Sequence, residues 1–407
     1  MPESRRCDVL IAGAGPAGLA TALYLLRRRP SLAGRVVALE RARHPRVKVC
    51  AGGLIPKTMQ ALAELGLELD VPAARVQNGI AVTEIGRVDY SSQETLCTVI
   101  RRHQFDAWLA RHAVAAGLEI VEDCRVLDVH TGADGVRAIT GHGEFEAPLL
   151  VGADGSGSRV REVVFGRARS SLGRAIMMDL PADSTCAEFA DAAYRFDFRC
   201  VARGIAGYSW SFPCLIDHRP HLNVGIYDQH PNGRVVPGKP KAELLEALAA
   251  AFPELPIRSD ARSGYKAFPI RWYEPAQRFV SGSVMLAGDA AGVDPLMGEG
   301  ISFAFEHGKL AAAAIDAWLG GASGALASYD RALHYGSAAR KLRRLRFAAA
   351  RFYGPRHRLY FRLASLSRAT QQIGVDWYNG VRDLDELPTA ALAGKWLQAV
   401  LIGAGLR

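Results

Sequence analysis

The sequence has no stretch that is long and apolar enough to cross a membrane without interruption. Apolar residues do follow the basic N-terminus, but a glycine motif interrupts them, so we expect no signal peptide. The seven cysteines are odd in number and include no C-x-x-C pair, which disfavours a zinc site or a disulfide framework. This cysteine usage fits a reducing compartment, and we expect a cytoplasmic protein.

The signatures of several enzyme classes are also missing. The histidines form no H-E-x-x-H or H-x-x-x-H pattern, so we expect no catalytic metal, and the lack of G-x-S-x-G argues against a hydrolase. Basic and aromatic residues do not alternate, so nucleic acid is not an expected partner. The net charge of +9 fits anionic cofactors, an anionic membrane face or solubility alone. Nothing in the sequence indicates the oligomeric state.

Three glycines near the N-terminus have the spacing of a nucleotide-binding turn. Cys7–Ala12 predicts a buried strand and Leu19–Arg28 predicts a helix, with Gly13, Gly15 and Gly18 forming G-x-G-x-x-G between them. The first glycine permits a tight turn, the second lets a pyrophosphate approach the backbone, and the third lets the helix pack closely on the strand. The pyrophosphate is then expected at the positive end of the helix.

The strand-then-polar pattern recurs along the chain. A second apolar strand ends in Glu40, where a carboxylate is expected to accept hydrogen bonds from ribose hydroxyls. Leu149–Gly152 predicts another buried strand, and its glycine-rich turn carries Asp154. Val284–Ala287 predicts a third, and its turn carries Asp289. Three such turns in one chain are much more specific than one.

With the first motif in place, the second and third turns resemble two further fingerprints of the flavoprotein hydroxylases and their relatives. The segment Arg102-x-x-Phe-Asp106 also resembles their helix start. The resemblance implies that Asp289 holds the flavin ribityl chain, that Asp154 serves the cofactor side of the cleft and that Arg102 contacts the cofactor. The alternatives are a turn cap for Asp154 and a surface helix start for Arg102.

Three stretches narrow the resemblance to the geranylgeranyl reductase family. Tyr208-Ser-Trp-Ser-Phe-Pro213 matches its Y-x-W-x-F-P signature, and 292–301 resembles its flavin-ring loop. Lys48-Val-Cys-Ala-Gly-Gly-Leu54 resembles its K-x-C-G-G-G-L loop, with Ala51 in place of the first glycine. Alanine tolerates a positive φ poorly, so this departure puts the loop conformation in question. The likeness spans residues 7 to about 320.

The resemblance implies an α/β fold, with a glutathione-reductase-like FAD-binding domain of Rossmann type, an inserted β-rich substrate domain and a C-terminal helical segment. We assign 1–75, 100–168 and 281–330 to the FAD-binding domain, 76–99 and 169–280 to the substrate domain, and 331–407 to the helical segment. The residues expected to bind the cofactor are Gly13, Gly15, Ala17, Gly18, Glu40, Arg41, Gly52, Gly53, Arg102, Val126, Asp154, Asp289, Gly298, Gly300 and Ile301.

A row of aromatic residues and one cysteine are the candidate substrate-binding and catalytic residues. Tyr208, Trp210 and Phe212 alternate, so on a strand they share one face, which walls an apolar tunnel or fills a core. We predict that they bind the substrate. Cys50 would be a small apolar core residue in another context. Because the resemblance places its loop beside the flavin, we expect a thiol that donates a proton or faces the substrate.

The resemblance implies a reductase that passes hydride from reduced FAD to a carbon–carbon double bond of a long isoprenoid. NADPH or NADH is the expected electron donor, with a protein donor as the alternative. Because no second G-x-G-x-x-G follows a strand, nicotinamide would bind transiently at the cleft or not at all. The alternatives are a flavin monooxygenase or halogenase acting on an apolar or aromatic metabolite, and a non-catalytic prenyl-lipid escort. Halogenases carry W-x-W-x-I-P at the aromatic signature, and the Cys50 loop argues against the escort.

A basic run occupies the otherwise less specific C-terminal region. The run is Arg340-Lys-Leu-Arg-Arg-Leu-Arg346, and Phe347, Phe352 and Tyr353 follow it. These residues rest on an anionic bilayer that supplies a prenyl substrate, or they form a solvated helix end. Peripheral contact with a membrane is therefore left open by the sequence.

Overall fold

The computed structural model describes residues 4–166, 172–229, 239–257, 264–365 and 368–381, together with Gly394 and Leu397. The strands are β1 (Arg5–Arg6), β2 (Val9–Ala12), β3 (Val36–Leu39), β4 (Gly53–Leu54), β5 (Ala73–Val76), β6 (Asn78–Thr83), β7 (Gly86–Ser91), β8 (Cys97–Ile100), β9 (Glu119–Val121), β10 (Val126–Gly132), β11 (Gly135–Thr140), β12 (Gly143–Ala147), β13 (Leu150–Gly152), β14 (Leu172–Pro181), β15 (Ala193–Asp197), β16 (Gly207–Ile216), β17 (Arg219–Asp228), β18 (Lys266–Arg271), β19 (Val280–Ser281) and β20 (Val284–Leu286). The helices are α1 (Pro16–Arg28), α2 (Pro56–Glu64), α3 (Arg102–Ala115), α4 (Arg159–Phe165), α5 (Ala187–Ala190), α6 (Lys241–Ala251), α7 (Ile301–Leu319), α8 (Ala325–Tyr335), α9 (Ser337–Phe352), α10 (His357–Ser365) and α11 (Arg368–Asn379).

A mainly parallel sheet of six strands forms the first layer, in the order β19-β20-β13-β2-β3-β9. Strands β2, β3, β13 and β20 are apolar and fully buried, as expected for parallel strands that are covered on both faces. Helices α1 and α7 pack against each other beside this sheet. Since β2, β13 and β20 run in the same direction, their three following turns meet at one edge. The predicted α/β Rossmann-type fold is confirmed.

Helix α1 begins three residues earlier than the sequence predicts. It starts at Pro16, whereas the apolar pattern predicts a start at Leu19. Proline has a fixed φ that suits the first helical turn and lacks the amide proton that this turn would leave unpaired. Gly18 therefore lies inside the first turn of the helix, directly over the glycine loop.

A second sheet of seven strands has the order β18-β14-β17-β16-β15-β6-β7. It joins strands from residues 78–91 to strands from 172–228 and 266–271, and its pairs are antiparallel except for β6 with β15. Two smaller sheets, β4-β8-β5 and β1-β12-β11-β10, complete the strands of the described chain. The residue boundaries assigned to the domains stay a prediction.

The seven-stranded sheet has different partners on its two faces. Helix α6 buries Leu244 and Leu248 against Ile226 of β17 on one side. On strand β16, by contrast, Tyr208 and Trp210 belong to a separate aromatic cluster. Because strand side chains alternate, Ser209 and Ser211 point away from that cluster. The sheet thus has one aliphatic face under a helix and one aromatic face that borders the cavity described below.

The C-terminal helices pack onto the rest of the protein. Helix α9 buries Leu342, Leu345 and also Lys341, whose Nζ donates to the carbonyl oxygens of Trp377 (3.1 Å) and Tyr378 (2.8 Å). These carbonyls lie at the C-terminus of α11, which is the negative end of the helix. Among the described helices, none combines the length and apolar character that a membrane crossing requires.

One part of the predicted bilayer contact is wrong. Tyr353 is 7% exposed and its hydroxyl donates to the carbonyl oxygen of Leu296 at 2.6 Å, while the ring of Phe352 packs on Phe361. Both rings turn inward because the apolar stripe of α9 continues to its C-terminus. Only Phe347 of the three predicted aromatic residues is largely exposed, at 60%.

Candidate cofactor and substrate site

A single cavity of about 880 Å³ runs from the glycine turns at the sheet edge to the aromatic face of the seven-stranded sheet. All the predicted site residues line it apart from Gly18, which lies beneath. Those that line it are Gly13, Gly15, Ala17, Glu40, Arg41, Cys50, Gly52, Gly53, Arg102, Val126, Asp154, Tyr208, Trp210, Phe212, Asp289, Gly298, Gly300 and Ile301. The structure therefore brings together residues that are separated by almost 290 positions in the chain.

The three glycine turns touch one another at the sheet edge. Gly13 has φ +101°, and a Cβ placed there would lie 2.5 Å from the carbonyl oxygen of Ala153 in the second turn. A Cβ on Gly288 in the third turn would lie 2.6 Å from Cβ of Ala17. A Cβ on Gly18 would lie 2.0 Å from the Gly13 carbonyl oxygen. Gly13 and Gly18 require glycine because backbone atoms fill the space that a side chain needs, and at Gly288 the Ala17 side chain fills it.

Glu40 ends strand β3 as a buried carboxylate beside the first turn. The backbone N–H groups of Ala14 and Ala42 donate to it at 3.0 Å and 3.2 Å. It is 4% exposed, so it is held by the turn rather than by solvent. A carboxylate in this place can accept hydrogen bonds from sugar hydroxyls.

Arg46 is a site residue that the sequence interpretation missed. Its guanidinium lies 3.3 Å from Glu40 and 3.3 Å from Asp106. Its Nη2 is 3.2 Å from the place where a Cβ on Gly15 would lie, so a cation stands over the open side of the glycine turn. Arg46 belongs to the basic loop after Glu40, and that loop is the only signal in the sequence that could have indicated it.

Arg102 starts helix α3 and is bound to Asp106 one turn later. Its Nε and Nη2 donate to the two carboxylate oxygens at 2.7 Å and 2.9 Å, and both side chains are buried. Burial disfavours both charges, yet their attraction prevails and keeps the pKa of Arg102 raised and that of Asp106 lowered. Burial in this pair excludes the alternative of a surface helix start.

Asp154 serves as the cap that the alternative reading proposed. Its Oδ2 accepts from the backbone N–H of Arg159 at 2.7 Å and of Val160 at 3.2 Å, at the start of helix α4. Burial raises the pKa of Asp154 above its ordinary value. Its carboxylate also borders the cavity, and a contact with the cofactor stays a prediction.

Asp289 lies at the positive end of the long helix α7. Ser156 in the second turn donates its hydroxyl to the Asp289 carboxylate at 3.0 Å. A Cβ on Gly300, which precedes the helix, would lie 3.0 Å from Oδ1 of Asp289. Glycine at position 300 therefore lets the helix start approach this carboxylate. The arrangement places an acceptor for hydroxyl groups in the lining of the cavity.

The loop with Cys50 lies between the two ends of the cavity. Gly52 has φ +86°, and a Cβ there would lie 1.9 Å from the carbonyl oxygen of Ile100. Ala51 does not have a positive φ, so alanine replaces the family glycine without strain. The backbone N–H of Gly52 donates to Sγ of Cys50 at 3.3 Å. This contact uses a sulfur lone pair and leaves the S–H available as a donor.

Lys48 places a second cation in this loop. Its Nζ lies 3.2 Å from the centre of the Phe268 ring on strand β18. Burial lowers the pKa of Lys48 to about 8, although Asp289 opposes the shift. The ammonium group therefore lies where the polar end of the cavity meets its aromatic end.

The other end of the cavity is an aromatic wall. Tyr208, Trp210 and Phe212 are 6%, 4% and 7% exposed and share the face of β16 that borders the cavity. These three rings line the cavity and also pack in a hydrophobic cluster, so both alternatives, a cavity wall and a core, apply to them. A Cβ on Gly53 would lie 3.4 Å from the Phe212 ring, which joins the wall to the Cys50 loop. Further rings in the lining are Tyr194, Phe196, Tyr227, Phe268, Phe352, Trp377 and Tyr378.

A chain of hydrogen-bonded, mostly buried polar groups lies behind Trp210. Its indole N–H donates to Oδ1 of Asn223 at 2.8 Å, and Nδ2 of Asn223 donates to Asp179 at 2.7 Å. Asp179 accepts from Nη2 of Arg101 at 2.6 Å, and Arg101 directly precedes Arg102. Hydrogen bonds thus connect the aromatic wall to the start of helix α3.

Helix α11 closes the aromatic end, although the sequence assigned no site residue there. The hydroxyl of Tyr378 donates to Oδ2 of Asp294 at 3.0 Å. Asp294 also accepts from the backbone N–H groups of Leu296 (2.6 Å) and Met297 (3.0 Å) in the loop before α7. Burial raises the pKa of Asp294 to about 6. One carboxylate therefore ties the C-terminal helix to the loop that enters α7.

Comparison with known proteins identifies a family and several relatives. The FAD binding domain family matches residues 6–339. The chain is 29% identical over 325 residues to digeranylgeranylglycerophospholipid reductase 1 of Methanopyrus kandleri, covering 75% of this chain and 79% of the relative. It is 28% identical over 332 residues to the menaquinone reductase of Mycolicibacterium smegmatis, covering 75% and 76%.

Two solved structures share the fold. A geranylgeranyl bacteriochlorophyll reductase-like protein from Thermoplasma acidophilum superposes with a TM-score of 0.71 at 20% identity, over 98% of this chain and 96% of that one. A flavin-dependent brominase superposes with a TM-score of 0.71 at 19% identity, over 97% and 98%. The likeness extends over the C-terminal helices as well as the two sheets.

Proposed function

Because the chain belongs to the FAD binding domain family and is an FAD-dependent oxidoreductase, we propose that it reduces carbon–carbon double bonds of a long isoprenoid. The observation that carries this proposal is the single cavity, which joins the three glycine turns to a long aromatic wall with a cysteine between them. The two relatives described above carry names that refer to lipids with polyprenyl chains.

The polar end of the cavity fits FAD. The side-chain-free edge of Gly15 faces Arg46, which leaves a cationic space for the pyrophosphate. Buried Glu40 is placed to accept from ribose hydroxyls, and Asp289 is placed to accept from the ribityl hydroxyls. When bound and reduced, FAD supplies the hydride, and NADPH or NADH is the proposed source of its electrons.

Cys50 is the proposed proton donor. Hydride addition to an isolated double bond builds negative charge on the neighbouring carbon unless a proton arrives with it. The Cys50 sulfur borders the cavity and accepts from the Gly52 N–H, so the thiol is oriented while its proton stays available. Two other thiols line the cavity, but burial raises the pKa of Cys97 to about 12 and also raises that of Cys124.

The aromatic wall is proposed to hold the hydrocarbon chain and to exclude water from the reacting carbons. The rings of Tyr208, Trp210 and Phe212 present apolar faces at low conformational cost because they are already packed in a cluster. Exclusion of water also protects the reduced cofactor from side reactions.

The proposal is tested with protein that has been loaded with FAD, reduced with dithionite under nitrogen and mixed with geranylgeraniol, which has no quinone ring that could accept the electrons instead. We expect the flavin absorbance to return and mass spectrometry to show a product heavier by two hydrogens. Short-chain prenyl alcohols are the matched control and are expected to act more slowly, because they leave most of the wall uncovered. Failure of every long prenyl acceptor to re-oxidise the flavin would overturn the proposal.

The fold shared with the brominase keeps a monooxygenase or halogenase as the second candidate. Such an enzyme would use the same FAD cleft and would take an apolar or aromatic metabolite at the wall. Oxygen distinguishes the two functions. A monooxygenase or halogenase consumes oxygen in step with product, whereas the reductase forms its product without oxygen.

A further inference from the structure

The positive charge of the protein is concentrated in its C-terminal helices. Residues 325–381, which span α8 to α11, contain eleven Lys or Arg and two Asp or Glu. The whole chain contains 50 and 41, so the rest of the chain holds 39 of each sign. The entire net charge of +9 therefore belongs to this one region, and simple solubility does not require such a distribution.

Large apolar side chains are exposed on the same helices. Tyr335, Phe347 and Leu359 are 66%, 60% and 50% exposed and come from α8, α9 and α10. The guanidinium of Arg343 lies 5.6 Å from the Tyr335 ring, and that of Arg351 lies 3.3 Å from the Phe347 ring. An apolar group beside a cation suits the boundary between lipid head groups and acyl chains.

Helix α10 presents further cations on its outer side. Phe361 faces inward and packs on Phe352 at a ring distance of 5.4 Å. Arg356 just before the helix and Arg362 within it are exposed, with the exposed Leu359 between them. This alternation of arginine and leucine faces away from the aromatic cluster.

The same helices border the cavity. Ala348 and Phe352 of α9 line it, and Phe347 stands beside Ala348 on the outer side. We propose that the exposed side of α9 and α10 docks on an anionic lipid bilayer and brings this wall of the cavity against the lipid. A polyanion such as RNA would pair with the arginines but would leave Phe347 and Leu359 in water. A bilayer accepts both kinds of side chain, and therefore fits the surface better.

The docking surface does not depend on the proposed reaction, although a prenyl substrate drawn from the bilayer would explain its position. The test is flotation of the holoprotein with phosphatidylcholine vesicles that contain either no anionic lipid or about one third phosphatidylglycerol, a fraction that creates a strong surface potential. We expect binding only to the anionic vesicles and release of the protein in high salt.

Charge-reversal pairs locate the surface. Arg356→Glu with Arg362→Glu is expected to lower vesicle binding at least about tenfold, because two attractive charges become repulsive. The matched control is Arg75→Glu with Arg111→Glu, which changes the net charge equally at two exposed arginines elsewhere and is expected to bind like the original protein. Phe347→Ser is expected to weaken vesicle binding by a similar factor at low and at higher salt, because an apolar contact with the bilayer is not screened by ions. FAD content and melting temperature confirm that each variant is folded.

Three results would overturn the docking proposal. They are no binding to anionic vesicles at low salt, an equal loss for both charge-reversal pairs, and RNA binding as tight as vesicle binding that is insensitive to Phe347→Ser. None of these measurements involves turnover, so they leave the proposed reaction untouched. A protein that floats but fails to reduce any prenyl substrate would refute the reaction alone.

Discussion

The two ends of the cavity differ in which atoms shape them: main-chain atoms at the cofactor end and side-chain atoms at the substrate end. At the cofactor end, the shape comes from main-chain turns after β2, β13 and β20, where glycines let backbone segments touch. At the substrate end, the shape comes from side chains on β15, β16, α9 and α11, which the sequence separates by up to about 180 residues. A backbone-built site tolerates little substitution, whereas a side-chain wall can be remodelled one ring at a time.

The largest effect is expected from the first glycine turn. Gly13→Ala adds a methyl group 2.5 Å from the Ala153 carbonyl oxygen at φ +101°, so the turn must move. Overpacking and the positive φ together cost roughly 2–5 kcal/mol, which lowers FAD affinity by about 30-fold or more. Isothermal titration of the apoprotein with FAD measures the loss.

Gly34→Ala is the matched control for that change. Gly34 also has a positive φ, +73°, but nothing lies within 4 Å of the added methyl group. We expect a small loss of melting temperature and unchanged FAD affinity. If both variants lose FAD equally, backbone strain and not the contact between the turns defines the cofactor end.

The two ends should also respond to pH in opposite directions. Burial lowers the pKa of His307, which accepts from the Gly288 N–H at the cofactor end, to about 4. Below pH 6.5 the histidine is protonated in the unfolded chain but stays neutral in the folded protein. Proton binding therefore favours the unfolded chain, and the free energy of unfolding decreases as pH falls from 6.5 to 4. Burial raises the pKa of Asp294, at the substrate end, to about 6. Its contribution is instead lost as pH rises from 4 to 6.

Melting curves between pH 4 and 6.5 separate these two contributions. His307→Asn keeps an acceptor for the Gly288 N–H and should reduce the fall in melting temperature toward acid pH. Asp294→Asn should reduce the fall in melting temperature toward neutral pH. Each of these pKa shifts corresponds to roughly 3 kcal/mol in the free energy of unfolding. Identical pH dependence in the original protein and a variant would show that its group does not titrate as described.

The contrast also explains which features could be predicted from sequence. Glu40 and Asp289 follow short buried strands, so local spacing places them. Gly52 could be singled out as a glycine, yet only the structure shows that it, and not position 51, needs the positive φ. Arg46 reaches the glycine turn from a loop without any motif. Tyr378 reaches the wall from α11 through a contact 84 residues away in sequence, and no local pattern specifies such a contact.

At the substrate end, Asn223 tests whether the wall is held in place from behind. Asn223→Leu has a similar volume but removes both the acceptor for Trp210 and the donor to Asp179. The buried indole N–H is left without a partner, so we expect a loss of about 1–3 kcal/mol in stability and a shift in tryptophan fluorescence. FAD affinity should stay unchanged.

The double variant with Trp210→Phe supplies the control for Asn223. Phenylalanine lacks the indole N–H, so Asn223→Leu should cost less in that background than in the original protein. Prenyl acceptors of different length should be distinguished less sharply by Asn223→Leu alone. Additive losses in the double variant would mean that the hydrogen bond does not position the ring.

The smallest effect on folding and FAD binding is expected at the residue between the two ends. Cys50→Ser and Cys50→Ala should keep FAD, fold and reduction by dithionite, because the sulfur makes one backbone contact and Gly52, not Cys50, carries the positive φ. Re-oxidation by a long prenyl acceptor should slow at least about tenfold, since a positioned general acid typically contributes 10²–10⁴-fold. Cys97→Ala is the matched control, because it removes a cavity thiol whose pKa of about 12 disfavours release of its proton near neutral pH. An unchanged rate in both Cys50 variants would mean that water or the substrate supplies the proton. Loss of FAD would instead assign Cys50 to the backbone-built end of the cavity.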